Sequence, residues 1–419
     1  MFFITLIAFL IILGLLIFVH ELGHFSAAKL SGVKVEEFAF GFPPRLFGMQ
    51  FKRIKKVKQT TTTEEIKIEI EDIKTANSEK IKETVTKEID TREKSRSKWE
   101  WKFAWGPKAV NKLLDAGLKD SKTTYAINLI PFGGYVKMLG EDEDSGSNES
   151  FSKKKTRFRF IIVVAGVIMN FILGGLLLSL GYGIGMSPIS ISESEFSSKK
   201  TSQIIIAQVN EGSPAQSAGL EVGDVVNGFS GIDQFAAFTK NNLNKQISIE
   251  IDHEGKVSSK TVQVSDNQDA PIGVGLASLS FVKLPFFQAI YYGFKDMVLT
   301  SKNVVVALYL IVAGLFTTGK VSEAVSGPVG IFNITGQAVK LGFIYLVQLA
   351  ALLSINLAII NILPFPGLDG SRALLLILEG IFRKRVIKSE IESIIHMVGF
   401  IILIALILLV TFRDILQIV

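Results

Sequence analysis

Two histidines and a glutamate stand where they can share one metal ion. In His20-Glu21-Leu22-Gly23-His24 the imidazoles sit at i and i+4, a spacing that on an α-helix puts them about one turn apart on one face. Such a pair suits a single zinc ion. Glu21 then lies beside the metal, free to take a proton from a water activated there. The motif closes an uncharged apolar run, Met1 to Val19, long enough to cross a bilayer. Ionisable groups at that depth are costly and mark a functional site. Two plainer readings compete. With four histidines in 419 residues, chance produces His-Glu-x-x-His in on the order of one in several hundred chains. Ser26-Ala27-Ala28 has the small-x-small spacing of a signal-peptide cleavage site, but no Lys or Arg precedes the apolar run, and cleavage would discard the motif.

Zinc held by two imidazoles needs a third protein ligand and one position left for water. The chain has no cysteine, so that ligand is His, Asp or Glu. Asp369 is the obvious carboxylate. It follows Asn361-Ile362-Leu363-Pro364-Phe365-Pro366-Gly367-Leu368, where two prolines and flanking glycines break a helix at the end of another apolar run. Broken backbone at membrane depth is tolerated where it lines a wet cavity, which hydrolysis also needs. Taken alone, the segment reads as a plain loop with a solvated Asp. Glu379, Glu390 and His396 are rival ligands. His396 is expected at a helix end near the membrane surface, and His253 in a turn of a soluble module.

The elements that must position these residues are mostly membrane-spanning. A hydrophobic content of 48%, gathered into runs, makes the class a multi-pass α-helical membrane protein of about four spans. The net charge of +6 does not point to nucleic acid, because the basic residues cluster beside apolar runs, where they orient the protein in its membrane. The chain divides into seven stretches. Residues 1–50 hold the first span, the motif and a Gly-Phe-Pro-Pro turn. Residues 51–124 form a polar insert, and 125–150 a Gly133-Gly134 hairpin followed by an acidic linker. A second span occupies 151–186, and 187–280 is a compact α/β module. Helices at the membrane surface fill 281–340, where Val304 to Phe316 alone is only about 20 Å of helix against a core of about 30 Å. The third and fourth spans lie in 341–419. The basic residues after the first span, before the second and between the last two put those loops in the cytoplasm. Both termini and the α/β module then lie outside the cell membrane, and His20 and Asp369 share a depth on the cytoplasmic side.

Two features of the insert stand apart. Ile66, Ile68 and Ile70 alternate with charged residues within a Thr/Lys/Glu-rich stretch, Gln59 to Glu93, that fits a solvated surface. Trp99, Trp101, Phe103 and Trp105 also alternate, using all three tryptophans of the chain. On a strand they share one face, either as a small core or as an aromatic foot at the membrane surface.

In its motifs the chain resembles the site-2 protease family of intramembrane zinc metalloproteases, in the bacterial branch that acts on anti-sigma factors and signal-peptide remnants. The resemblance rests on His20-Glu21-Leu22-Gly23-His24, Pro131-Phe132-Gly133-Gly134-Tyr135-Val136-Lys137-Met138, Gly212-Ser213-Pro214-Ala215 with Ala218-Gly219-Leu220 and Gly223-Asp224, Ser326-Gly327-Pro328-Val329-Gly330-Ile331, and Asn361-x-x-Pro364-x-x-x-x-Asp369-Gly370. It implies His20, His24 and Asp369 as Zn2+ ligands and Glu21 as general base. It implies that Asn361, with Pro364, grips the substrate backbone, and that Gly133, Gly134, Tyr135 and Val136 form a re-entrant β-loop pairing with substrate edge to edge. The module becomes a single PDZ domain. The partners implied are the lipid bilayer and single-pass transmembrane substrates, with no nucleic acid. The insert is longer than this branch usually has, and some relatives carry two PDZ domains. A membrane scaffold with a structural zinc would not need Glu21, and a metal transporter would want more polar residues through its spans.

Overall fold

A computed structural model describes residues 1–54, 98–119, 122–141, 146–196, 200–253, 256–267, 269–318, 326–387 and 389–416. The expected strand around Ile66 to Ile70 and the rest of Gln59 to Glu93 lie outside the described residues. The first half of the chain runs α1 (Phe2–Leu30), β1 (Val35–Ile54), β2 (Lys98–Trp105), α2 (Pro107–Lys119), β3 (Thr124–Met138) and α3 (Thr156–Ile184). A soluble module follows, with β4 (Lys200–Val209), α4 (Pro214–Ser217), β5 (Val225–Val226), α5 (Ile232–Lys240), β6 (Gln246–His253), β7 (Lys256–Gln263) and β8 (Val274–Val282). Helices α6 (Phe286–Thr318), α7 (Pro328–Leu341), α8 (Phe343–Ile362), α9 (Asp369–Phe382) and α10 (Ser389–Leu416) complete it.

Helices α1, α3, α6, α8 and α10 are long and apolar enough to cross a membrane. Three of them, α1, α3 and α8, form the packed centre. Glycines let their backbones close up, as expected where small residues replace the hydrophobic drive that lipid removes. A Cβ on Gly174 of α3 would come within 2.7 Å of Ile355 in α8, and one on Gly23 of α1 would strike the backbone of Ala165 and Gly166 in α3. Ile12 and Leu16 of α1 pack with Ala350 of α8, and Leu178 of α3 with Ala351 and Ile355.

The short segment expected from Val304 to Phe316 needs correction. It is the C-terminal part of the 33-residue helix α6. Its first half escapes a hydropathy reading because Lys295, Asp296 and Lys302 interrupt it, yet the Asp296 carboxylate is fully buried and accepts hydrogen bonds from Tyr182 Oη and from the Ile189 and Ser190 amides at 2.8–3.0 Å. Helix α6 crosses α3 near its C-terminal end, meeting Gly175, Ser179 and Tyr182. Helix α7 lies against the start of α1, with Phe332 beside Phe2 and Phe9. The Gly327 and Gly330 amides at its N-terminus donate to Asp414 Oδ2, near the end of α10. The end of α3, the module, α7, the start of α8 and the end of α10 therefore gather at one end of α1. The start of α3, α9 and the start of α10 gather at the other.

Strands β1 and β3 are interleaved. Residues 124–127 of β3 pair on one side with residues 47–49 of β1 and on the other with 37–40, while 134–138 of β3 pair with 35–40 of β1. The Gly133-Gly134 segment is thus not the tight hairpin expected from its sequence. Its two arms do not pair with each other, because the first arm of β1 runs between them. Strand β2 extends the sheet along residues 47–54. Strand β1 runs on past residue 50, so β2 and α2 of the expected insert belong to the same unit as the Gly-Gly loop. The module is a separate five-stranded antiparallel sheet ordered β7-β6-β5-β4-β8, cored by Ile204, Ile206, Ile249, Ile251 and Phe235.

Candidate metal and catalytic centre

Helix α1 carries His20 and His24 to its inner face, against α3. The two Nε2 atoms stand 3.2 Å apart. Asp369 Oδ2, from the first turn of α9, lies 3.0 Å from His20 Nε2 and 3.3 Å from His24 Nε2. These edges match the spacing of about 3.3 Å between ligands bonded at 2.0–2.1 Å to one tetrahedral zinc. Among the described residues this is the group of His and carboxylate atoms close enough to hold an ion. Despite the short distances, Asp369 Oδ2 is buried without a well-directed hydrogen bond. A buried carboxylate oxygen and two imidazole nitrogens aimed at one point are costly unless a cation joins them.

The second nitrogen of each imidazole supports the same fit. His24 Nδ1 donates to the Ile162 carbonyl at 2.8 Å, leaving Nε2 with a free lone pair. His20 Nδ1 faces the side-chain amide of Asn170 at 3.3 Å, while Asn170 Oδ1 is buried and unpartnered. The oxygen and nitrogen of an amide have the same shape. Turning it gives Oδ1 a donor in His20 Nδ1–H and leaves Nε2 of His20 unprotonated as well, the usual arrangement behind a metal-bound histidine. Gly166 completes the cradle, since a Cβ there would overlap His24 Nε2 and come within 2.9 Å of His20 Cε1.

A cavity of about 240 Å³ opens beside the three atoms, lined among others by Ile17, Glu21, Gly133, Gly134, Leu357 and Asn361. Glu21 thus faces the same space as the triad without joining it. Asn361 Nδ2 is 3.5 Å from His20 Nε2. Gly134 packs so closely that a Cβ would come within 3.1 Å of Glu21 Cγ, and Tyr135 and Val136 continue the strand at the sheet edge, paired with Ala39 and Phe38. Pro364 lies in the turn between α8 and α9. Gly370 has no room for a side chain against the Ile362 carbonyl, and Gly367 adopts φ +93°, a conformation glycine accepts without strain.

The rival ligands fall elsewhere. Glu379 forms an ion pair with the buried Arg159, at 2.9 Å. His396 is not at a helix end; it lies on α10 and accepts the Gly367 amide through Nδ1 at 3.2 Å. Glu390 lies in the first turn of α10. His253 ends β6 rather than sitting in a turn, and its Nδ1 is 2.6 Å from Asp224 Oδ1. Sequence reasoning missed Asn170 and Gly166. Their signal was an amide in an otherwise apolar span, one helical turn after a glycine.

Three donor atoms spaced to hold one zinc ion, with a further carboxylate beside them and apolar helices around them, define a membrane-embedded metal-dependent hydrolase. The chain belongs to Peptidase family M50, whose family model matches residues 8–58 and 110–406, and it is a multi-pass membrane zinc metalloprotease. A relative from Clostridium perfringens is 31% identical over 96% of this chain and 95% of its own length. The regulator of sigma-W protease RasP of Bacillus subtilis is 28% identical over 98% of each, and a relative from Staphylococcus aureus is 30% identical over 98% of each.

Proposed function

We propose that the protein cleaves single-pass membrane proteins within their transmembrane segments, including anti-sigma factors or signal-peptide remnants, with His20, His24 and Asp369 as the zinc ligands. The observation that carries this reading is the convergence of three donor atoms from α1 and α9, with Glu21 facing the same cavity. Zinc bound there supplies Lewis acidity toward the scissile carbonyl and the attacking water. Glu21 takes that water's proton and returns it to the leaving amine. A transmembrane helix must unwind before its carbonyl can be reached, and each freed backbone group left unpaired in an apolar setting costs several kcal/mol. Among the described residues the 134–138 arm of β3 is paired on one side only, and its other edge can take the substrate as an added strand. Asn361 and the Pro364 turn then hold the substrate backbone over the cavity.

The gathering of both ends of the 185–342 stretch at one end of α1 favours four crossings, with α6 lying across the outer end of α3. With the basic residues that flank the spans kept in the cytoplasm, this reading has both termini and the module outside and the metal centre toward the cytoplasm. The module, read as one PDZ domain, then screens substrates by obstructing bulky external domains.

Glu21→Gln is the test. The purified variant should keep its zinc and lose cleavage of a model single-pass substrate by roughly 10²–10⁴-fold, the usual worth of a positioned general base. Wild-type cleavage by that variant would refute the assignment.

A further inference from the structure

The aromatic strand β2 remains without a role, and the family match breaks off at residue 58 and resumes only at 110. We infer that one face of the β2–β1 ribbon is a lipid contact, which seats the interleaved sheet in the cytoplasmic leaflet of the bilayer. The inference rests on α1 crossing the membrane and on its orientation, not on the chemistry at the metal.

The two faces of the sheet are covered differently. On one, Gly48 and Gln50 meet α2: a Cβ at Gly48 would come within 2.7 Å of Val110, and Gln50 Nε2 donates to the Leu113 carbonyl at 2.6 Å. The opposite face carries Phe47, Phe51, Trp101, Phe103, Trp105, Tyr125 and Ile127, in register across three strands. Phe51 stacks on Tyr125 and Trp101 on Phe103. This is not the small core that the alternation also allowed, because Trp101, Phe103, Trp105 and Ile127 are 52, 59, 76 and 50% exposed.

The register gives the depth. Residues paired across a sheet lie at similar heights, squarely where the strands are antiparallel and with a slant where, as for 37–40 beside 124–127, they run parallel. One rung joins Trp105 to Phe47, Ile127 and Phe40, and the Phe40 ring packs on Gly14 of α1. Two residues along, Phe103 pairs with Met49 and Met49 with Tyr125, which lies 5.9 Å from Phe25 of α1, and Trp101, paired with Phe51, stands one step further the same way. Gly14 and Phe25 are separated by roughly 16 Å along that helix. The aromatic column thus runs beside the cytoplasmic half of α1 from within the hydrocarbon toward the headgroups. The same sheet face continues onto α1 itself, where Phe38 packs on Phe18 and Phe25. What covers the face beside a membrane helix, at the depth of that helix, is lipid. Tryptophan and tyrosine favour that boundary because their rings are apolar with one polar edge. Held at that depth, the sheet fixes the height of its 134–138 edge relative to the metal centre.

All three tryptophans of the chain lie on β2, so intrinsic fluorescence reports on this strand alone. The full-length protein, reconstituted in nanodiscs, should lose most of its tryptophan emission when the phosphatidylcholine is replaced by acyl-chain-brominated lipid. Single-tryptophan proteins order the depths. With Trp99→Phe and Trp101→Phe, the remaining Trp105 should be quenched best by bromine near the middle of the acyl chain. With Trp99→Phe and Trp105→Phe, the remaining Trp101 should respond best to bromine near the headgroup. Emission untouched by brominated lipid but quenched by aqueous iodide would overturn the inference by placing the face in water. Emission untouched by either would overturn it in favour of a protein cover, whether residues 55–97 or a second copy. Wild-type protein suffices for the first measurement, so misfolded variants cannot mask the result. Glu21→Gln should quench identically, which keeps this outcome separate from the protease reading.

Discussion

The two sides of the proposed metal centre are held by different means. The histidines sit on α1, locked against α3 through backbone contacts at Gly23 and Gly166 and through the Ile162 carbonyl and Asn170. Asp369 starts α9 after a glycine-proline turn whose far side is backed by α10. There Gly399 accepts the Pro366 backbone with no room for a Cβ, and His396 receives the Gly367 amide. Helix α10 is itself a loose support: 11% of its apolar window is buried inside the protein, against 44% for α3. Helix–helix contact in lipid depends on close packing and a few polar bonds, so the histidine side is the stiff half. The aspartate side is compliant where its turn meets α10, α9 itself being fastened to α3 by Ala373, Leu376 and the Glu379–Arg159 pair. The transmembrane substrate proposed above needs room beside the cavity, and the α10 contact is where the protein can yield it at least cost.

Substitutions of graded severity can break or sharpen that contrast. Gly166→Val should have the largest effect, because its side chain has no space among packed backbones and both imidazoles. The purified protein is expected to carry essentially no zinc by elemental analysis and to show no cleavage. Next is Asn170→Leu, which removes the partner that sets the tautomer of His20. Zinc affinity, measured by competition with a chelator, should fall about 10–100-fold. His396→Ala should cost only about fivefold in zinc affinity, the equivalent of one net hydrogen bond of about 1 kcal/mol. Were it to match Gly166→Val, the aspartate half would not be the compliant one. Smallest is Asp414→Asn, which keeps an acceptor for Gly327 and Gly330 but removes a charge from the N-terminus of α7. A loss of about 0.3–1 kcal/mol is expected, read as a small drop in thermal midpoint with cleavage unchanged.

The histidine pair is legible in the sequence because its geometry is local: four residues on a helix define a face wherever that helix sits. Asp369 is nearly as plain, since prolines and glycines announce a broken helix next to an acid. The interleaving of β1 and β3 leaves no trace of that kind. Gly133-Gly134 looks like a hairpin turn at close range, and only the partner strand between its arms shows otherwise. Asp296 helps to hide half of α6 for a related reason: hydropathy counts its charge, whereas the fold buries it among three donors. Glu379 is a rival ligand on sequence alone, and only the fold brings Arg159, far away in the chain, beside it.

By itself, the amino-acid order determined what depends on near neighbours: the apolar lengths that must cross lipid, the turn-by-turn spacing that pairs His20 with His24, and the places where backbone must bend. The tertiary structure alone decided which distant groups meet. Asp369 reaches the imidazoles, Asn170 reaches His20, and the tryptophan face is left open beside α1 because α2 has taken the other side. Helix period and strand alternation are fixed within a few residues by backbone sterics, whereas such meetings depend on how helices and strands pack against one another, a contest that no short stretch of sequence contains.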